Sequence, residues 1–321
     1  MTQDQAKLRE EHLLFLKQIK KKKSKLKRRE NWTALAFISV KYLGLIIFTV
    51  IPVLFALLYS FMDYQGGYTL PRFFNSIPKL WVWFDNYKLL FTDINYADVF
   101  FNAIGNNIIL MLSVPLGIFI GLVLGYILSR DSIRGSKVFR TLIYVPVVSS
   151  AVAMNYIWRY IFAYDYGIIH VITGWDIKWL SNEHWVKVAM IIKAAWGSLG
   201  RTMILCLAAL TNVGRDYYEA ADLDGAGEIT KFVKISVPLI TPTIFYLLCT
   251  GIIGNLQQFV DSQIFAAGND GGETIVYFIW EYGIGSAEYG IASAASFVLT
   301  IGIMIITFVQ FKIQDKWVYS E

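Results

Sequence analysis

The chain has 321 residues, of which 56% are hydrophobic, 16% aromatic and 17% charged, with a formal net charge of +5. Soluble domains carry about a quarter charged residues, so this balance excludes an ordinary soluble enzyme and points to a membrane protein. The positive excess is local: eleven of the 29 basic residues fall between Lys7 and Arg29, just ahead of the first apolar run. That placement favours membrane orientation over nucleic-acid binding.

Residues 1–31 are expected to form a basic cytoplasmic tail. Leu13, Leu14, Leu16 and Ile19 beside Lys17 and Lys20 to Lys23 suit either a short interfacial helix on anionic lipid or a solvated arm. No secretory signal peptide is expected, because the first apolar run is too long and lacks a small-residue cleavage site. A spanning helix needs about 20 apolar residues. Six runs qualify: Tyr42–Phe61, Ile104–Leu128, Thr141–Phe162, Val186–Leu210, Leu239–Phe265 and Ile291–Phe311. The chain is therefore expected to be an all-α integral membrane protein with six transmembrane helices. With the tail inside, twenty basic residues fall on inner segments, and only Arg72, Lys79, Lys88 and Lys178 fall on outer ones. Both termini are thus expected in the cytoplasm, with aromatic belts at Trp81, Trp83 and Tyr87 and at Trp158 to Tyr166 on the outer interface.

The expected organisation is a tail over 1–31, a first transmembrane helix over 32–62 and an extracytoplasmic loop over 63–101. A core domain of five helices follows over 102–311, with a polar loop at 211–238, then a cytoplasmic tail over 312–321. The outer loop has Gly66, Gly67, Pro71 and Pro78 near its start. Gly117, Gly121 and Gly125 repeat at four-residue spacing, which puts three glycines on one helix face for close approach of a neighbour. Pro52 and Pro115 mark places where their spans can kink. Cys206 and Cys249 lie in apolar runs as packing residues, and His12, His170 and His184 are scattered, so no metal site is expected.

Between the fourth and fifth runs lies a polar stretch, Leu210 to Pro238, on the expected cytoplasmic side. Asp216 is expected to cap a helix over Tyr217–Asp224. Ala220 and Ala221 favour helix with little bulk, and Gly225 and Gly227 end it in a sharp turn. A second short helix, about Glu228 to Ser236, is expected to stop before Pro238. Two short helices joined at a glycine elbow make a protrusion suited to a socket.

Glu219-Ala220-Ala221, three residues, Gly225, nine residues, Ile235, one residue, Val237 and Pro238 together form a spacing similar to the signature of inner-membrane permease subunits of ABC importers. Val237 stands where leucine is usual, and Gly214 where these loops often have a proline. The resemblance covers about two-thirds of the chain, from Phe84 to Lys312. Within it Phe84-Asp85-Asn86-Tyr87, Phe139-Arg140 with Tyr144 and Pro146, Ala220 to Ala226, and Tyr289 to Ala294 resemble the carbohydrate-uptake branch. The resemblance implies a type I importer permease fold and a heterodimer with a shorter sister permease. It also implies a cytoplasmic ABC ATPase dimer, an extracytoplasmic solute-binding protein and a carbohydrate, an oligosaccharide in the first reading. By the same implication Glu219, Ala220, Ala221, Asp224, Gly225, Ile235 and Pro238 couple to the ATPase, Glu219 by pairing with a basic group and Gly225 as the elbow. A structural role for Glu219, at a helix N-terminus, stands beside that one. No Walker-type phosphate loop occurs, so ATP and Mg belong to the partner ATPase and this chain carries no cofactor.

A charge at mid-membrane costs about 2.5–3.5 kcal/mol, so polar residues deep in a span face protein or water. In the fifth run Gly251, Gly254, Asn255, Gln257, Gln258, Asp261 and Ser262 fall on one broad side when placed at about 100° per residue. Amides and a carboxylate suit sugar hydroxyls, though they also suit helix–helix hydrogen bonding. The fourth run lines up Lys193, Gly197 and Arg201, with Trp196 and Gly200 beside them, and Lys193 and Asp261 stand at depths that allow pairing. Arg201 suits an anionic group on the substrate or a carboxylate within the protein, and a phosphorylated polyol is the alternative cargo. Asn155, Trp158 and Arg159 on the third run are further candidates. An intramembrane enzyme would need a nucleophile–base pair, paired carboxylates or a metal cluster at spanning depth, and none is evident. Neither that class nor a passive channel accounts for the stretch from Glu219 to Pro238.

Overall fold

The computed structural model describes residues 33, 35, 38–67, 76–77, 80–129, 134–265 and 269–319. The basic tail over 1–31, Arg72, Lys79, Arg130, Pro71 and Pro78 lie outside them. Among the described residues the chain is helical without strands, apart from one isolated bridge between Met62 and Trp81. It divides into two units, residues 1–58 and 59–321. Among the described residues four helices are long and apolar enough to span a membrane by length and composition, or six if each of two bent pairs counts as one span.

The first unit contributes α1, Ile38–Ser60, which runs on to the start of the second. Its turn Ile46–Val50 is a π turn, with the Ile51 N–H bonded to the Ile46 carbonyl. Pro52 follows two residues later, where it lacks the N–H that an α-turn would direct at Phe48. The widened turn upstream takes up that defect without breaking the helix.

The second unit begins with α2 (Asp85–Thr92) and α3 (Ala97–Leu128). Asn86 is buried and donates to the carbonyls of Ser60 (3.0 Å) and Met62 (2.9 Å). Gly290 presses on the same place, since a Cβ there would stand 2.3 Å from the Met62 carbonyl oxygen. Two of the stretches that carried the resemblance, around Asn86 and around Gly290, therefore meet. Within α3 the ladder tightens at 111–112, where Leu112 N–H bonds Ile109. Pro115 explains the place: its ring meets the carbonyl four residues back, that of Met111. The freed Leu110 carbonyl accepts from Ser113 Oγ (2.7 Å) and Asn255 Nδ2 (3.2 Å).

The third run is not one straight span. α4 (Ser136–Val148) and α5 (Ala151–Ile161) meet at a 103° bend, because Ser149 and Ser150 are extended after Pro146. After a short α6 (Ile168–Thr173), Asn182 accepts from the amides of His184 and Trp185 and starts α7, Glu183–Thr211. The glycine face of α3 packs on α7 within the chain: a Cβ at Gly117 would lie 2.2 Å from Ser198 Oγ, and one at Gly121 2.6 Å from Thr202.

α8 (Arg215–Leu223) and α9 (Glu228–Leu239) form the connecting loop. Gly214, not Asp216, is the cap residue of α8, and Asp216 sits in its first turn, where its charge suits the helix dipole. α9 also departs from expectation by running through Pro238 to Leu239. A π turn over Phe232–Ser236, with the Val237 N–H on the Phe232 carbonyl, again ends two residues before the proline. The break comes at Ile240, and α10 (Thr241–Leu256) leaves at 69° to α9.

The fifth run is also interrupted. α10 stops at Leu256, and α11 (Val260–Phe265) restarts after 257–259. The helical-wheel assignment of Gln257, Gln258, Asp261 and Ser262 to one face of a continuous helix is thereby overturned. Buried hydrogen bonds fix the break: Thr274 Oγ1 donates to the Gln258 carbonyl (3.0 Å) and Ser262 Oγ to that of Gly272 (2.8 Å). Asn106 and Asn107 of α3 hold the other side. Asn106 Nδ2 donates to the carbonyls of Asp270 (2.7 Å) and Glu273 (2.9 Å), and Asn107 Oδ1 accepts from Ile275 N–H (2.8 Å). α12 (Ile275–Trp280) and α13 (Tyr289–Gln314) complete the chain. Cys206 and Cys249 are both free and buried, as packing residues should be.

Candidate functional site

α3, the α4–α5 bend, α7, α10 and α11 surround a cavity of about 460 Å³. Of the residues singled out in the sequence, Lys193, Gly197, Arg201, Gly251, Asn255, Gln258 and Asp261 line it, together with Trp196 and Gly254. Gly197 and Gly254 face open space, since a Cβ on either would meet nothing within 4 Å. Gln257 is exposed and lies outside the lining. Trp158 also stands outside it, packed edge-on to Trp196 at 5.2 Å between ring centroids and stacked on Phe162 at 5.5 Å.

Lys193 of α7 and Asp261 of α11 form an ion pair, their side chains 12% and 16% exposed. Asn155 of α5, fully buried, donates to the same Asp261 oxygen at 2.8 Å. Arg159, one turn on, donates to the Ile264 carbonyl at 2.9 Å and ties α5 to the end of α11. Three helices are thus joined through one carboxylate at the cavity wall. A buried ion pair held by a further donor is worth little net energy but is costly to break on one side only. Arg201, about two turns along α7 from Lys193, is exposed to the cavity and has no hydrogen bond or ion pair among the described residues.

Two buried amide atoms in the lining are also unsatisfied: Asn255 Oδ1 and Gln258 Nε2. Asn255 is anchored through its nitrogen to Leu110 and Ser113, which leaves its oxygen free to accept. Buried polar atoms without partners cost about 1–3 kcal/mol each; six more among the described residues lie outside the lining, so these two agree with a site that meets polar groups but do not by themselves single this cavity out. Asn155, a candidate in the sequence, holds Asp261 of the wall, whereas Asn106 and Asn107, not singled out there, fix the segment 270–275 outside the lining. Adjacent asparagines inside an apolar run were the available signal for those two.

The second feature is the loop. Glu219, Ala220 and Asp224 are exposed and Ala221 is half-buried on and just after α8; Gly225 adopts φ +72° at the elbow. That left-handed conformation is open to glycine at little cost. Ile235 is half-buried in the π turn and Pro238 exposed beyond it. Lys231, only 7% exposed, pairs with Asp222 across the elbow and with Glu228 on its own helix at 3.4 Å. Tyr218 and Ser236 share a further hydrogen bond of 2.9 Å between the two short helices. Leu223 and Ile229 are left 91% and 81% exposed at the tip.

A helical membrane subunit with a polar cavity in its bundle, and a braced two-helix loop joining two of the cavity's walls, has the architecture of a transporter's membrane component. The chain belongs to the family of binding-protein-dependent transport system inner membrane components, whose family model matches residues 113–318. It is 31% identical over 94% of its length, and 96% of the relative's, to the probable ABC transporter permease protein YesP of Bacillus subtilis (strain 168). To the lactose transport system permease protein LacF of Rhizobium radiobacter it is 29% identical over 90% of its length and 96% of the relative's. Its fold matches a chain of a bacterial alginate ABC transporter, solved in complex with an alginate pentasaccharide-bound periplasmic protein. The TM-score is 0.75 at 20% identity, covering 90% of this chain and 96% of that one. The chain is therefore an ABC transporter permease subunit, a membrane transport component and not an enzyme.

Proposed function

We propose that this chain carries a carbohydrate, in the first instance an oligosaccharide, across the cell membrane as one permease of an ABC importer. ATP and Mg are bound and used on a separate cytoplasmic ATPase dimer. A sister permease completes the path and an extracytoplasmic binding protein delivers the sugar. With each bent pair counted as one span, the chain crosses six times, and both termini and the α8–α9 loop face the cytoplasm. The basic-residue bias supports that orientation. The sugar reading is supported by relatives whose names specify a sugar, by the amide-lined cavity, and by the stretches around Asn86 and Gly290.

The observation that carries the coupling is connectivity. α8 and α9 join α7 to α10, and both of those helices line the cavity. With Lys231 bracing the elbow, the loop moves as one piece, and its displacement is transmitted to Lys193, Gly197 and Arg201 on one side and Gly251 and Asn255 on the other. Glu219, Ala220, Ala221, Asp224, Gly225, Ile235 and Pro238 shape the surface that enters the ATPase, with exposed Leu223 and Ile229 at its tip. A cysteine at Leu223 should crosslink to the ATPase in the assembled importer, more efficiently than one at Trp185 at the far end of α7. Equal, background crosslinking from both positions would remove the loop from the interface.

A further inference from the structure

We propose that the cavity selects an anionic sugar, with the Arg201 guanidinium as the group that reads the negative charge. The inference rests on the reading of this cavity as the sugar path. Among the described residues three charged side chains line it, Lys193, Asp261 and Arg201. Lys193 and Asp261 neutralise one another, so the walls carry one uncompensated charge, and it is positive.

Position gives that charge its meaning. Arg201 stands ten residues before the end of α7 at Thr211, which places it about 15 Å along the helix axis from that end. An unpaired cation at such depth is expensive to hold in a membrane protein, and it marks a route for something of opposite sign. The guanidinium is a planar fork that takes two oxygens of a carboxylate or a phosphate at once. Gln258 Nε2 adds a second donor in the same cavity, buried and unpartnered. A bare anion would satisfy these donors and leave Asn255 Oδ1, an acceptor, still unmet. A molecule carrying both hydroxyls and an acidic group satisfies all three. A uronate-containing oligosaccharide and a sugar phosphate share that chemistry.

The test uses the complete importer purified in detergent, with equilibrium binding of three labelled probes: galactotriose, trigalacturonate and galactose 6-phosphate. At least one anionic probe should bind roughly tenfold or more tighter than galactotriose, the scale of a charged hydrogen bond. Arg201→Gln should bring that preference close to parity, and Arg201→Lys should keep part of it. Preference for trigalacturonate identifies the charge as a carboxylate, and preference for galactose 6-phosphate identifies it as a phosphate. No preference for either anion in the unaltered protein, or a preference that survives Arg201→Gln, overturns the proposal. Loss of the sister permease from the Arg201→Gln complex during purification also overturns it, since the guanidinium then pairs with that subunit. Gln258→Met separates the two readings. If it weakens binding of all probes while Arg201→Gln changes nothing, only the charge selectivity falls. If neither variant alters any probe, the sugar path itself lies elsewhere.

Discussion

Gly225→Pro is expected to abolish ATP-driven uptake while leaving the protein inserted and assembled in the membrane. At φ +72° the elbow lies in a region closed to proline, whose ring holds φ near −65°. The substitution also removes the Gly225 N–H that bonds the Asp222 carbonyl at 3.0 Å. It further crowds Asp224, whose φ of −77° and ψ of 0° belong to a region disfavoured before proline. The damage is confined to the loop, because a side chain at Gly225 would meet nothing within 4 Å. The strap from Lys231 to Asp222 crosses this elbow, so a change of elbow angle separates the two short helices. Uptake in proteoliposomes, measured beside membrane yield and co-purification of the ATPase, checks the expectation; normal uptake would show that the elbow transmits nothing.

The second large effect is expected at the ion pair. Asp261→Leu leaves the Lys193 ammonium in a largely buried place without its anion, and strips Asn155 Nδ2 of an acceptor. Removing one side of a buried pair typically costs about 3–5 kcal/mol, so the purified importer should unfold at a markedly lower temperature. Adding Lys193→Met should recover most of that loss, because the uncompensated charge goes with it. Thermal unfolding of the single and double variants forms a complete cycle. A double variant no more stable than Asp261→Leu would mean that the pair is held for reasons other than charge.

How far the sequence foretold this arrangement depends on which force sets each part. Hydrophobic runs report burial in lipid, and α1, α3, α7 and α13 fall where those runs lie. The interruption at 257–259 is held by hydrogen bonds to distant residues, Thr274 on the Gln258 carbonyl and Ser262 on that of Gly272, and was therefore hidden. The bend at Ser149 and Ser150 is local and follows Pro146, which permits a break without dictating its angle. Pro238 misled for a related reason: the π turn upstream of it has no sequence signature, yet it lets α9 continue. The pairing of Lys193 with Asp261 was legible from depth alone, whereas the face that Asp261 presents was not. The connecting loop was legible in part: the glycine elbow stands at Gly225 as expected, while the cap at Asp216 and the stop before Pro238 do not, and Glu228 and Phe232 lean on Tyr126 of α3.

If the loop drives transport, its movement opens the cavity alternately to the two sides of the membrane. Gly197 is the place to watch this, on the cavity wall with nothing within 4 Å of a Cβ. In a background with Cys206→Ala and Cys249→Ala, a Gly197→Cys importer in sealed vesicles is exposed to a membrane-impermeant thiol reagent. Labelling is compared from each side, with the ATPase free of nucleotide and then trapped with ATP. The side from which the introduced thiol is labelled should change between the two conditions, and Gly225→Pro should prevent the change. Labelling from the same side, at the same rate, in both nucleotide states would contradict the account.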